Sequence, residues 1–314
     1  MKIVQSLWTL PMLNGRGEIY ENRFHGGWLN VKYHLLSLAY SSLQLSKYYR
    51  KLSLVTDKAG NDMLINKMGL PYTEVTICLD ELNDYDTQLW SLGKIHAYSI
   101  QDEPFIHVDG DAFIWEPFPK KFLTADLVAQ NLEHNYEYYR TLMEELVSRN
   151  CYIPAVVSRI TALENEVNAY NAGVYGGSNI AFFKAFAKEV DLFLKNNLPN
   201  MPQLQVGKLN AFFEQHLFYC MAREWGLKVA CVTDIIDKEV LDFMLKDISQ
   251  FLQAPEKVKY IHLLGGEAKT DPAICNRLET LMKETYPEYY RRILSICESD
   301  FAGSRTPAPV NSVI

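Results

Sequence analysis

Long apolar runs are scarce in this chain of 314 residues. No stretch approaches the roughly 20 apolar residues that a bilayer-spanning helix needs, so no transmembrane segment is expected. The opening, MKIVQSLWTLPM, has neither the apolar stretch nor the small-residue cleavage site of a secretion signal, and a cytoplasmic location is expected. Positive charge is short as well. The 31 Lys and Arg against 38 Asp and Glu leave a formal net charge of -7, which excludes a surface built to track a nucleic-acid backbone. The six cysteines, Cys78, Cys151, Cys220, Cys231, Cys275 and Cys297, form no CxxC pair and no cluster. That is the usage of reduced, mostly buried thiols rather than of a disulfide frame or a thiolate metal site. No internal repeat is visible. Apolar and aromatic residues are plentiful: 48% hydrophobic, with 19 Tyr, 15 Phe and 5 Trp, enough for one large α/β core with aromatics to spare for peripheral contact with a membrane.

The pattern along the chain alternates strands and helices. Lys2 to Thr9 is a short apolar run closed by Pro11 and the Asn14-Gly15 turn signal, a first buried strand. Trp28 to Tyr48 carries apolar residues at helical period behind Gly26-Gly27. Leu52 to Thr56 reads as a second strand, Asn61 to Met68 as a short helix and Tyr72 to Leu79 as a third strand. Leu89 to Ile100 reads as a helix, and Pro104 to Val108 as an apolar strand running straight into Asp109-Gly110-Asp111. Strand character returns around Asn171 to Gly177. Helices follow at 180–196 and 203–225, strands at 228–232 and 258–264, and a closing helix at 272–286. Leu127 to Val147 has helical spacing, so 120–165 is expected as a helical insertion. One domain is expected over 1–298, with 299–314 a disordered tail. This alternation implies an open α/β sheet with ligands beyond the carboxyl ends of its strands.

The acidic pair sits at such an end. A hard divalent cation takes oxygen ligands, and two carboxylates flanking a small glycine where a strand leaves the sheet can turn towards one ion. The same residues are also what a strand exit with two solvated acids looks like, so the pair needs its context.

That context resembles the GT-A glycosyltransferases, most closely the group of glycogenin and the bacterial lipopolysaccharide galactosyltransferases. The matching motifs run in the family's order: Phe105-Ile-His-Val-Asp109-Gly-Asp111-Ala-Phe-Ile, then Asn171-Ala-Gly-Val174, Glu214-Gln215, and His262-Leu-Leu-Gly265-Gly-Glu-Ala-Lys269. They cover about residues 1 to 270, apart from 120–165. The resemblance implies a GT-A fold, a Rossmann-like mixed sheet flanked by helices, and transfer of a hexosyl unit from a nucleotide-diphosphate sugar, a UDP-sugar first, with retention. It implies Asp109, Asp111 and His262 as ligands of Mn²⁺ or Mg²⁺, the imidazole favouring Mn²⁺. It places Lys94, Gly265 and Lys269 at the diphosphate, Trp8, Thr9 and Asp57 at the nucleoside, and Asn171, Glu214 and Gln215 at the sugar. The acceptor, a glycan, a lipid-linked molecule or a peptide, is left open. Two departures stand out: the family's lysine would fall at Ala268 rather than Lys269, and its Asp is Glu214 here.

Each of these residues also has a plainer reading. Trp8 and His262 suit a core, Asp57 a helix cap, Lys94 and Lys269 a solvated face, and Asn171-Ala-Gly a turn. Two other functions fit parts of the pattern. A haloacid-dehalogenase-like phosphatase also carries Asp-x-Asp after an apolar strand, with Asp234 and Asp237 imitating its later acidic motif, but that motif normally opens its domain. The other is a sugar-nucleotide-binding protein without catalysis, which the two departures would suit.

Overall fold

Leu52–Thr56 is buried at all five positions and Phe105–Val108 at all four, as befits interior strands covered on both faces. The computed structural model describes residues 1–13, 24–233 and 248–300. Its strands are β1 (Lys2–Leu7), β2 (Leu52–Thr56), β3 (Glu74–Ile77), β4 (Phe105–Val108), β5 (Ala112–Ile114), β6 (Leu127–Ala129), β7 (Leu132–Glu133), β8 (Ala169–Tyr170), β9 (Val174–Gly177), β10 (Val229–Cys231) and β11 (Tyr260–His262). Seven of them form one sheet in the order β10-β6-β9-β4-β1-β2-β3. Neighbours are parallel except at β9, which runs antiparallel to both β4 and β6. Two short antiparallel ribbons, β5 with β11 and β7 with β8, stand outside it.

The principal helices are α1 (Val31–Tyr48), α2 (Leu92–Ser99), α3 (Glu137–Ser148), α4 (Ala155–Glu164), α5 (Ile180–Asn197), α6 (Leu217–Glu224), α7 (Gly265–Thr270), α8 (Pro272–Thr285) and α9 (Pro287–Asp300). Strand periodicity sends successive side chains to opposite faces. Val4, Phe105 and Tyr175 therefore join the core under α2, α5 and α6, while Ile3, Ile106 and Val174 face the other way. The first core is aromatic: Tyr175 stacks on Phe218 with centroids 4.1 Å apart, and Phe105 packs on Phe183 at 4.8 Å. On the opposite side α1, α8 and α9 enclose Phe113, Phe251 and Leu54. The α/β sheet is what the alternating pattern implied, and its mixed strand directions and flanking helices are what the resemblance implied.

Two parts of the pattern come out differently. Leu127 to Ala129, expected within a helical stretch, is an inner strand paired with β9 and β10, and helix begins only at Glu137. Three apolar residues buried on both faces carry no strand alternation, so spacing alone could not separate them from the helix that follows. The 120–165 segment thus contributes a sheet strand as well as α3 and α4. At the far end, α9 extends to Asp300, two residues into the stretch expected as a tail, while 301–314 and the Asn14-Gly15 turn signal lie outside the described residues. Among the described residues no helix is long and apolar enough to cross a membrane.

One ionic knot ties α1, α8 and α9 together. Glu279 meets Lys32 at 2.8 Å and Lys283 at 2.8 Å, and accepts from the Tyr290 hydroxyl at 2.6 Å. Burial alone would raise its pKa, but the hydrogen bonds from Lys283, Lys32 and Tyr290 outweigh burial and hold it at about 2. A depressed folded-state pKa means stability that is complete above the ordinary carboxylate range and lost as pH falls towards 2. Glu279→Gln is therefore expected to lower the melting temperature at pH 7. Its deficit against wild type should shrink between about pH 4.5 and pH 2, and a deficit that stays constant on acidification would contradict this.

Candidate active site

The loop Asp109-Gly110-Asp111 joins β4 to β5 in mid-sheet and is held from three sides. On one side the Asp109 amide donates to the Gly173 carbonyl at 3.0 Å, continuing the β4–β9 pairing. On a second, β5 pairs with β11 so that His262 faces Ala112, and the Leu263 amide donates to the Asp111 carbonyl at 3.1 Å. The third is α1, whose buried polar residues Ser37, Ser41 and Gln44 fall on one face at helical spacing. Ser37 Oγ donates to the Gly110 carbonyl at 2.8 Å, Ser41 Oγ to that of Ala112 at 2.7 Å, and Gln44 Nε2 to that of Ile114 at 3.1 Å. A Cβ on residue 110 would overlap the end of the Leu38 side chain, so the glycine lets Leu38 of α1 lie against the loop.

This framework brings the charges together. His262 Nε2 lies 3.2 Å from Asp111 Oδ1 and 3.7 Å from Asp109 Oδ2. One donor atom from each of the three residues lies within 4.8 Å of the other two. Ligands about 2.1 Å from a small divalent cation stand about 3 to 4 Å from one another, so two carboxylates and an imidazole at these separations fit such an ion. Lys94 Nζ lies 3.0 Å from Asp109 Oδ2 and 2.5 Å from Glu214 Oε1, and Lys269 Nζ is 2.5 Å from Asp111 Oδ2 and 3.3 Å from the Gly26 carbonyl. The two aspartates are pushed apart electrostatically, as close like charges are. Burial raises Asp109, and the Asp111 charge adds to this against the pull of Lys94 and His262. Burial acts on Asp111 too, but Lys269 and His262 outweigh it and hold that carboxyl well below the usual range. Burial and the charge of Lys94 push the neighbouring His107 well below the usual imidazole range, so it sits neutral with Nε2 2.9 Å from Ser6 Oγ.

The facing wall is built from Asn171 and Gln215. Asn171 Nδ2 donates to Glu133 Oε1 at 2.7 Å, and its Oδ1 accepts from the Gly173 amide at 3.0 Å. Tyr139 binds the other Glu133 oxygen and lies 3.1 Å from Gln215 Oε1. Burial raises the Glu133 carboxyl, opposed by its bonds to Tyr139 and Asn171. Glu214, in the π-helical segment Phe212–His216, is turned inward to Lys94, which leaves Gln215 as its more exposed neighbour.

Of the twelve residues singled out from sequence, ten line one cavity of about 200 Å³: Trp8, Lys94, Asp109, Asp111, Asn171, Glu214, Gln215, His262, Gly265 and Lys269. Thr9 and Asp57 are not among its lining residues. Asp57 is buried, accepting from the Thr9 amide at 2.6 Å, the Thr9 hydroxyl at 2.8 Å and the Gly60 amide at 2.7 Å, which caps a helical turn and fixes the end of β1. Trp8 lines the cavity with its indole Nε1 donating to Asn83 at 3.0 Å. Lys269, one place beyond the family's spacing, is the lysine that reaches Asp111, while Ala268 is fully buried. Asp234 and Asp237 lie outside the described residues.

Sequence reading missed Gln130, Glu133 and Tyr139, which support the site from the 120–165 segment, and the tryptophans Trp28 and Trp90 on the cavity wall. Gln130, a carboxamide directly after the apolar run Leu127 to Ala129, was the available signal, since a buried amide usually has partners.

Adding Mn²⁺ to the protein is expected to raise its melting temperature, by the equivalent of about 2.7 kcal/mol at 100 times the dissociation constant. Asp111→Asn should abolish the rise. An equal rise in that variant would place the ion elsewhere.

Comparison with known proteins adds little chemistry. The crystal structure of an active-site mutant of LgtC aligns with a TM-score of 0.36 at 12% identity, over 68% of this chain and 70% of that one. LgtC, named as a galactosyltransferase, in complex with donor and acceptor sugar analogs aligns at 0.35, with the same identity and coverage. Scores this low carry no conclusion about activity. No curated protein matches the chain. Residues 1–296 match the model described as "Family of unknown function (DUF6734)", and the chain belongs to that family.

Proposed function

We propose that this chain is a glycosyltransferase of the GT-A type, moving a sugar from a nucleotide-diphosphate donor to an acceptor with a divalent cation. The observation that carries the proposal is the convergence of Asp109, Asp111 and His262 at the end of β4, in one cavity with Lys94, Lys269, Asn171 and Gln215. Cation, diphosphate and sugar each find matching groups there. The motif order set out from sequence supports the same reading.

When bound, the cation supplies Lewis-acid stabilisation of the departing nucleoside diphosphate. The mixed nitrogen and oxygen donor set favours Mn²⁺ over Mg²⁺. Lys269 is the chain's own cation for the leaving group: its ammonium rests against Asp111 and is positioned to exchange that carboxylate for a phosphate oxygen. Lys94 has a different task. Held between Asp109 and Glu214, it keeps one carboxylate charged and oriented in a buried setting. That pairing turns Glu214 inward, and Gln215 and Asn171 are the polar side chains of the facing wall assigned to the sugar. Their orientation is held by Tyr139 and Glu133. Trp8 offers an indole face to the nucleobase, and Gly265 a backbone free to approach phosphate oxygens.

A UDP-sugar donor and retention of anomeric configuration belong to the proposal, as does an acceptor that is a glycan, a lipid-linked molecule or a peptide. A phosphatase is less well supported, because Asp109-Gly-Asp111 follows the fourth strand of the chain rather than the first.

Calorimetry across UDP-, GDP- and CDP-sugars, with and without Mn²⁺, tests the proposal. One donor is expected to bind only with Mn²⁺, and Asp111→Asn should weaken that binding at least about tenfold, as loss of a charged ligand does. Absence of any Mn²⁺-dependent donor binding would sink it. Donor binding without hydrolysis or transfer would leave a binding protein, and release of phosphate from an aryl phosphate without any sugar nucleotide would indicate a phosphatase.

A further inference from the structure

His262 is 6% exposed and Gln130 is 3% exposed. Their side chains meet directly, with His262 Nδ1 2.8 Å from Gln130 Oε1. A carboxamide oxygen has no proton to give, so in this contact the imidazole donates from Nδ1. The same oxygen accepts from the Tyr260 hydroxyl at 2.7 Å. Tyr260 and His262 stand two apart on β11 and so share a face. Both donors converge on one acceptor, which turns the oxygen of Gln130 rather than its amide nitrogen towards the ring.

Neither partner is free to drift. The Gln130 backbone N–H donates to the Asn171 backbone carbonyl at 3.2 Å, and the Gln130 backbone carbonyl accepts from the Thr233 backbone N–H at 2.9 Å. His262 is held by the β5–β11 ribbon. The contact passes directly over residue 173. A Cβ there would collide with both Gln130 Oε1 and His262 Nδ1, far inside any real contact. The φ of Gly173 is not in the left-handed region, so the backbone would accept alanine. Space, not conformation, is what requires glycine at this point of Asn171-Ala-Gly173.

We propose that Gln130 and Gly173 are the positioning residues for His262: Gln130 holds the imidazole as the Nδ1–H tautomer, and Gly173 leaves room for that bond. A ring fixed this way turns Nε2 to the space shared with Asp109 and Asp111, and with a cation bound that atom supplies the lone pair a ligand requires. Gln130 has the geometry of an outer partner that sets both tautomer and ring angle. The inference rests on the reading of Asp109, Asp111 and His262 as a cation centre, and it adds why the remote Gln130 and the glycine are part of it.

The test is Mn²⁺ affinity of the full chain, by calorimetry and by the electron paramagnetic resonance signal of unbound Mn²⁺, so that no activity is needed. Gln130→Leu keeps the volume and loses the acceptor, and Gly173→Ala keeps the backbone and fills the space. Each is expected to weaken Mn²⁺ binding about 10- to 100-fold, the usual effect of losing an outer-shell partner, but by no more than His262→Ala. Combining the two should cost little beyond either alone, because both act on one bond. Gln130→Glu retains an acceptor and should bind Mn²⁺ within about threefold of wild type, a rescue that a merely structural role would not produce. Circular dichroism of each variant separates unfolding from loss of the ligand. Wild-type binding matched by Gln130→Leu and Gly173→Ala would overturn this inference and leave the cation centre standing. No Mn²⁺ binding by the wild type would overturn the cation centre itself.

Discussion

The antiparallel register that sets His262 opposite Ala112 is the contact on which the site depends. β5 is only three residues long and β11 no longer, yet their pairing joins parts of the chain 150 residues apart in sequence. A slip of one residue would turn His262 to the other face of the ribbon and remove it from Asp109 and Asp111. The ribbon does not hold alone. Ser37, Ser41 and Gln44 of α1 bind the carbonyls of Gly110, Ala112 and Ile114, so the helix behind the loop fixes the strand that fixes the histidine.

Charge explains why so much of the molecule is recruited to this point. Two aspartates as close as these repel unless cations intervene, and burial sharpens the repulsion. In the protein alone Lys94 and Lys269 meet that need, one for each carboxylate. Lys94 also meets Glu214 and the Ala172 carbonyl, and Lys269 also meets the Gly26 carbonyl. In the proposed reaction Lys94 orients Asp109, and Lys269 is the charge redirected from Asp111 to the diphosphate.

A good part of the fold is legible in the sequence because local apolar patterning and turn chemistry act over short range. β2 and the start of α5 fall where Leu52 to Thr56 and Ile180 place them, and β4 runs into the acidic pair as its apolar residues suggest. β6 was not legible, since Leu127 to Ala129 becomes a strand only through the edges offered by β9 and β10. The support of the site was hidden for a related reason. Nothing local to Gln130, Glu133 or Tyr139 indicates which distant side chain each will hold, and Asp57, which the resemblance placed at the nucleoside, turns inward to Thr9 and Gly60 as the cap of its plainer reading.

By itself the sequence determined the strand and helix alternation, the position of Asp109-Gly-Asp111 at a strand end, and the absence of a membrane-spanning run, all properties of neighbouring residues. Tertiary structure alone decided which residues face one another across the cavity. It brought Lys269 rather than Ala268 to Asp111, drew Glu214 away to Lys94, and laid the Gln130 and His262 contact over Gly173. Those outcomes depend on strand register and helix packing between segments remote in the chain, and burial makes them costly to rearrange once formed.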